Sequence, residues 1–242
     1  MTRLIAMGTI VVLLLVLVSG QTAGATVGAT VGQVLTEGAP SPGTPSDSVY
    51  RMKYITSGKV DGKLDDWRSI GVLATDPIGD VPHGWGYTAD LSEVYGMREG
   101  GGAYAFLLLL SESGPVPPVQ PKYVIVFVNP LDRTKVMEVA LDPETKSILV
   151  IPGEQPNNPK VLSSKSGAYC VLSMGGDPLL VGSFIRVANG CPFIEVKIPT
   201  SERNRVLGGG SSEVYFAVYT VDPGTGAVID AIDLVGSCLL RF

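Results

Sequence analysis

From Val49 onward the 242-residue chain is a succession of short apolar or alternating runs, and no segment sustains a 3.6-residue apolar period. The runs are VYRMKYIT (49–56), SEVYGM (92–97), AYAFLLLL (103–110), KYVIVFV (122–128), KVMEVAL (135–141), SILVI (147–151), AYCVLSM (168–174), LLVGSFIRV (179–187), PFIEVKI (192–198), EVYFAVYTV (213–221) and AVIDAIDLV (227–235). Many follow one another at about 8 to 12 residues, the spacing of strands in a sandwich or barrel. The runs AFLLLL and YVIVFV are apolar on both faces, which predicts central strands covered on both sides. In FIEVKI, Glu195 and Lys197 alternate with Val196 and Ile198, which predicts one wet face. The segments DPETKS and DPGTGA carry the Asp-Pro chemistry of tight turns and predict hairpins, and only TSERNRVL (200–207) suits a helical turn.

Composition agrees with β structure. Charged residues are 17% of the chain against roughly 25% in typical soluble domains, while 30 Gly and 18 Pro supply turns for many short strands. A net charge of −5 gives no footprint for a polyanion, so nucleic acid is excluded as an expected partner.

The first residues have the form of a signal peptide. Arg3 precedes an unbroken apolar run from Ile10 to Val18, and Ala23-Gly24-Ala25 has the small-x-small pattern of a cleavage site. Residues 1–25 are therefore expected to be a signal peptide that directs secretion. The alternative is an uncleaved segment tethering the protein to a membrane, although Leu4 to Val18 is shorter than the roughly 20 residues that span hydrocarbon. No Cys follows the apolar run, which excludes a bacterial-type lipoprotein anchor. Residues 26–49 are rich in Gly, Thr, Pro and Ser and read as a linker. Within them ATVGATVGQVL repeats ATVG and could also add as a strand to a sheet edge. Residues 50–242 then form the globular domain. Its cysteines, Cys170, Cys191 and Cys238, are compatible with a Cys170–Cys191 pair in an oxidising compartment or with three buried thiols.

Enzymatic motifs are missing. The single histidine, His83, lies in the Gly-containing loop PHGWGY, and there is no G-x-S-x-G, H-E-x-x-H or G-x-x-x-x-G-K-[ST]. The chain is therefore expected not to be an enzyme. Seven carboxylates, Asp61, Asp65, Asp66, Asp76, Asp80, Asp90 and Glu93, fall within 33 residues. Hard oxygen donors gathered on loops are what Ca²⁺ requires, and the same residues also serve as turn formers. Trp67, Trp85 and Tyr87 lie outside the strand pattern. Trp67 is expected to pack beneath its turn, whereas Trp85 and Tyr87, between glycines, are placed to hold the apolar face of a sugar ring.

The pieces VDGKLDDW (60–67), DPIGD (76–80), ADLSEVY (89–95), GAYAFLLLL (102–110), FIEVKIP (193–199) and YFAVYTVD (215–222) occur in an order that resembles the family 9 carbohydrate-binding module and DOMON-like extracellular domains. The resemblance covers about residues 55 to 235 and implies an all-β, jelly-roll-like antiparallel β-sandwich that binds sugars, or haem in some relatives, with structural calcium near the D-x-x-G-D loop. On that resemblance Asp76, Asp80 and Asp90 are calcium candidates. The family's aromatic sugar clamp does not carry over onto Trp85 or Tyr87. Haem, for which the chain offers only His83 and Met97, is a distant expectation.

Two functions remain open from the sequence. One is a secreted, non-catalytic module that binds carbohydrate or another cell-surface ligand with calcium support. The other is a structural subunit of a surface layer or filament, self-associating through the N-terminal segment by strand addition.

Overall fold

The computed structural model describes residues 48–55, 64, 67, 69–86, 88–100, 102–111, 119–163, 168–173, 179–181, 184–187, 193–209, 213–233 and 238–241. The leader, residues 26–47 of the expected linker with its ATVG repeat, and Cys191 lie outside the described residues, while Ser48 and Val49 belong to the first strand.

Sixteen strands are described: β1 (Ser48–Arg51), β2 (Lys53–Ile55), β3 (Val72–Thr75), β4 (Leu91–Glu99), β5 (Ala103–Leu110), β6 (Lys122–Val128), β7 (Val136–Asp142), β8 (Ser147–Pro152), β9 (Lys160–Leu162), β10 (Tyr169–Ser173), β11 (Leu179–Val181), β12 (Phe184–Val187), β13 (Phe193–Pro199), β14 (Glu213–Val221), β15 (Val228–Asp233) and β16 (Cys238–Arg241). The helix α1 (Thr200–Leu207) falls on TSERNRVL. Among the described residues no helix is long and apolar enough to cross a membrane.

The strands form two sheets. The first runs β1-β16-β14-β6-β7-β8-β9 with β15 also on β14; the second runs β11-β12-β10-β13-β5-β4-β2 with β3 also on β4. Most neighbours are antiparallel, and β1–β16, β2–β4 and β10–β12 are parallel. The protein is thus an all-β sandwich. DPETKS closes the β7–β8 hairpin and DPGTGA the β14–β15 hairpin, as their turn chemistry predicts.

Alternating apolar side chains from both sheets meet in one core. At its centre Phe106 of β5 stacks on Phe216 of β14, with ring centroids 5.3 Å apart. Phe127 of β6 tilts against both at 5.6 and 5.5 Å. Such contacts add to simple area burial and lock the sheets in register.

Three sequence expectations change. VYRMKYIT is two strands, not one: β1 belongs to the first sheet and β2 to the second, and the chain crosses between them at Met52, which is buried in the core. LLVGSFIRV divides into β11 and β12, which pair antiparallel. The outward face of FIEVKI is not wet. Glu195 is fully buried, because a segment bearing Trp67 lies over β4, β5 and β13 and forms an outer apolar layer with Ile70, Met97, Leu107 and Phe193.

Candidate functional site

The turn that follows β3 is built to return its chain. Pro77 fixes one backbone angle, and Gly79 adopts φ +90°, a left-handed conformation that side chains with Cβ rarely take. The Asp76 N–H donates to the Ser92 carbonyl at 2.9 Å, which ties the turn to β4. The Gly79 N–H donates to Asp90 Oδ2 at 2.9 Å, which holds the turn against the residue entering β4. Asp90 is in turn fixed from the other sheet. Tyr123 of β6 donates its hydroxyl to the Thr88 carbonyl at 2.6 Å, and Thr220 of β14 donates to the Ala89 carbonyl at 2.7 Å.

These constraints gather carboxylates. Oxygens of Asp76, Asp80 and Asp230 lie within 4.8 Å of one another. Asp230 comes from β15 in the first sheet, and its two oxygens accept from the Leu91 N–H at 2.7 Å and the Ala231 N–H at 2.8 Å. The cluster therefore joins one sheet to the other at this end of the sandwich. Burial, then the charges of Asp230 and Asp80, push the Asp76 carboxyl up to about 7. Burial also raises Asp230, against the opposing amide bonds from Leu91 and Ala231. Asp90 is raised by burial as well, opposed by the Gly79 amide and the Ser111 hydroxyl. Asp76 Oδ2 and Asp90 Oδ1 are buried oxygens with no hydrogen-bond partner among the described residues. Orphaned buried oxygens beside like charges are costly unless a proton or a metal cation satisfies them. The donor set is entirely hard oxygen, which suits a cation such as Ca²⁺.

Two neighbouring cavities lie on the outer face of β3, β4 and β5. One, of about 440 Å³, is lined by Leu64, Trp67, Ile70, Gly71, Val72, Tyr95, Leu107 and Leu109. The other, of about 270 Å³, is lined by Thr75, Asp76, Ile78, Ser92, Glu93, Leu109 and Leu110. They share Leu109, so an apolar half adjoins a polar half. Tyr95 in the apolar half donates its hydroxyl to Glu93 Oε2 in the polar half. Burial, then that bond and the Glu93 charge, push the Tyr95 hydroxyl up to about 12, so it stays a donor at neutral pH.

Of the residues singled out in the sequence, Asp76 and Asp80 converge and Asp90 adjoins them. Asp61, Asp65, Asp66 and Tyr87 lie outside the described residues. Trp85 is half-buried on the loop, its backbone N–H donating to the Pro82 carbonyl at 3.2 Å. Trp67 is 2% exposed, beneath its turn. His83 stands exposed on the loop, while Met97 is fully buried in the outer apolar layer. Asp230, Tyr95 and the cleft itself were not anticipated. The only sequence signal for Asp230 is that it and Asp233 interrupt an otherwise apolar strand.

No family model matches the chain, and no curated protein matches it. Solved structures do. A candidate carbohydrate-binding protein from Bacteroides uniformis ATCC 8492 is similar at 12% identity and a TM-score of 0.49, over 81% of this chain and all of that one. A family 9 carbohydrate-binding module from Caldicellulosiruptor kristjanssonii, in complex with glucose, is similar at 13% identity and a TM-score of 0.40, over 80% of this chain and 96% of that one.

Proposed function

We propose that this chain is an exported, non-catalytic binding protein that holds a carbohydrate in the cleft over β3, β4 and β5. The observation that carries the reading is the adjoining of the two cavities. A sugar ring has apolar C–H faces and a rim of hydroxyls, and it needs an apolar surface beside a few oriented polar groups. Val72, Tyr95 and Leu109 supply the surface, backed by the buried Trp67 and Leu107; Thr75, Ser92 and Glu93 supply hydroxyl and carboxylate partners. Trp85 and Tyr87, which follow Asp76 and Asp80 in the sequence, remain candidate sugar contacts.

Asp76, Asp80 and Asp230, with Asp90 adjoining, are the residues that would hold Ca²⁺, supported by the buried orphan oxygens of Asp76 and Asp90. A bound cation would neutralise their mutual repulsion and join the two sheets. Export rests on the leader-like residues 1–25.

A glycan array followed by calorimetry tests the reading, with Gly71→Phe as the blocking variant. Gly71 lines the apolar cavity, and a Cβ there meets nothing within 4 Å, so the ring fills the cleft without entering the core. Wild-type protein is expected to bind a glycan and Gly71→Phe to lose it while melting at the same temperature. Equal binding by both would move the ligand elsewhere, and no glycan bound by the wild type would end the carbohydrate reading.

A further inference from the structure

Both sheets of the sandwich carry an apolar outer face, but the described residues cover only one of them. Over the second sheet, Leu64, Trp67 and Ile70 pack onto Met97, Leu107 and Phe193. The matching cluster on the first sheet includes Val124 and Val126 of β6, Ala140 of β7, and Tyr215, Ala217 and Tyr219 of β14. Among the described residues, every member of that cluster belongs to the first sheet itself. An uncovered sheet face is wet, as the rim is here: Val161, opposite Leu149 of β8, is 65% exposed, and Val228, opposite Val221, is 40% exposed. At the centre Val124, Val126 and Ala217 are each 0% exposed. Internal stretches outside the described residues do not exceed eight residues, and the longest, 56–63, joins β2 of the second sheet to that sheet's own cover. The chain before β1, by contrast, supplies residues 1–47.

We propose that residues 26–35, TVGATVGQVL, strap the outer face of the first sheet and keep it from water, membranes and other copies of the chain. The inference rests on the export reading for the removal of residues 1–25 and is independent of the carbohydrate reading. The segment alternates as an extended chain with one apolar side does: Val27, Ala29, Val31 and Leu35 fall on one side with Gln33, and Thr26 and Thr30 on the other. Its tether also begins at the right place, since β1 is the edge strand of this same sheet. Three strand spacings, about 14 Å, separate β1 from β6, whereas residues 36–47 reach about 40 Å when extended. The tether holds Pro40, Pro42 and Pro45 with Gly38 and Gly43, a composition suited to a bend around the sheet edge. A second copy fits this face less well. Glu138, flanked on β7 by Val136 and Ala140, is fully buried on it, so a twofold contact between two such faces sets like charges together in a dry interface.

The test is thiol labelling at the centre of the face, in the full chain expressed with its own leader. Ala217→Cys places the thiol, a maleimide labels it, and peptide mass spectrometry reads it apart from Cys170, Cys191 and Cys238. Labelling is expected to be slower by about tenfold or more than in the same chain without residues 26–47, and independent of protein concentration. Val31→Asp sets a charge on the apolar side of the strap and should raise the rate toward that of the deletion. Thr30→Asp, on the other side, should leave it slow. Should the deletion fail to fold, these two single changes still decide, with melting temperature as the check that each is folded. Equal labelling with and without residues 26–47, or equal effects of the two substitutions, would overturn the strap. Protection only in precursor that retains residues 1–25 would overturn it in favour of the leader. Protection that grows with concentration, alongside a dimer in sedimentation, would overturn it in favour of a second copy. Intact mass shows separately whether residues 1–25 were removed; their retention would count against the export reading and leave the comparison of Val31→Asp with Thr30→Asp in force.

Discussion

The Trp67 indole N–H donates to Glu195 Oε1 at 2.5 Å, joining residues 128 apart in sequence. Trp67 thereby forms a wall of the apolar cavity and a lid over β13, and the bond satisfies both a buried ring nitrogen and a buried carboxylate oxygen.

Trp67→Ala should therefore cost about 3 to 5 kcal/mol, the range for truncating a buried large aromatic. Trp67→Phe keeps most of the buried area and loses the indole donor, so it should cost less, about 1 to 3 kcal/mol. Urea midpoints at constant slope measure both. A cost below about 1 kcal/mol for the alanine variant would mean that the lid is not part of the cooperative structure.

That pair also shows how far the sequence could be read. Alternation places Glu195 on the outward face of β13, and it is there; its burial was not legible, because the covering residue comes from the far end of the chain and no local pattern encodes it. The central strands β5 and β6 were legible from apolar residues on both faces. The division of VYRMKYIT was not, since Met52, between Arg51 and Lys53, continues one alternating run, with no Gly or Pro to mark the crossing. Asp76, Asp80 and Asp90 were legible as a loop motif. Asp230 was not, because its convergence depends on how β15 meets β4 across the sandwich, a fact of tertiary packing alone.

The carboxylate cluster sets a pH dependence in metal-free buffer. Asp76 is raised from an ordinary 3.8 to about 7, and burial raises Asp90 and Asp230 in the same direction. Between those values the folded chain holds protons that the unfolded chain has released, so stability falls as pH rises from about 4 to about 7. Asp142, beside Lys122, and Glu202, beside Lys160 and Arg205, are lowered by those partners against the cost of burial. They stabilise above the ordinary carboxylate range and lose that contribution as pH falls through and below it. Metal-free melting temperature should thus be highest in mildly acid solution and decline toward neutrality. Saturating Ca²⁺ at about 100 times its dissociation constant should add roughly 2.7 kcal/mol at neutral pH and little in acid. A melting temperature that climbs steadily from pH 5 to 8 in metal-free buffer would contradict the raised Asp76.

Gly96 offers a test of how tightly the second sheet is closed. It sits in β4 where a Cβ would come within 2.8 Å of Leu73 Cδ1, 3.0 Å of Met52 Cε and 3.2 Å of Phe106 Cε1. Met52 and Leu73 have flexible ends, but Phe106 is held by its stack on Phe216 and its contact with Phe127. The strain of an added methyl must therefore be taken up by Met52 and Leu73. Gly96→Ala is expected to destabilise by about 1 to 3 kcal/mol, the usual cost of overpacking a filled core. Leu73→Ala destabilises by removing core volume, yet it also clears the nearest obstruction, so the double variant should cost less than the sum of the two single changes. Denaturant midpoints of the four proteins close that cycle, and strict additivity would show that the methyl is accommodated elsewhere. Leu73 lies in β3, three residues before Asp76, and a β3 pushed away from β4 strains the bond from the Asp76 N–H to the Ser92 carbonyl. Gly96→Ala should for that reason also weaken the calcium response, and Leu73→Ala in the same chain should restore part of it.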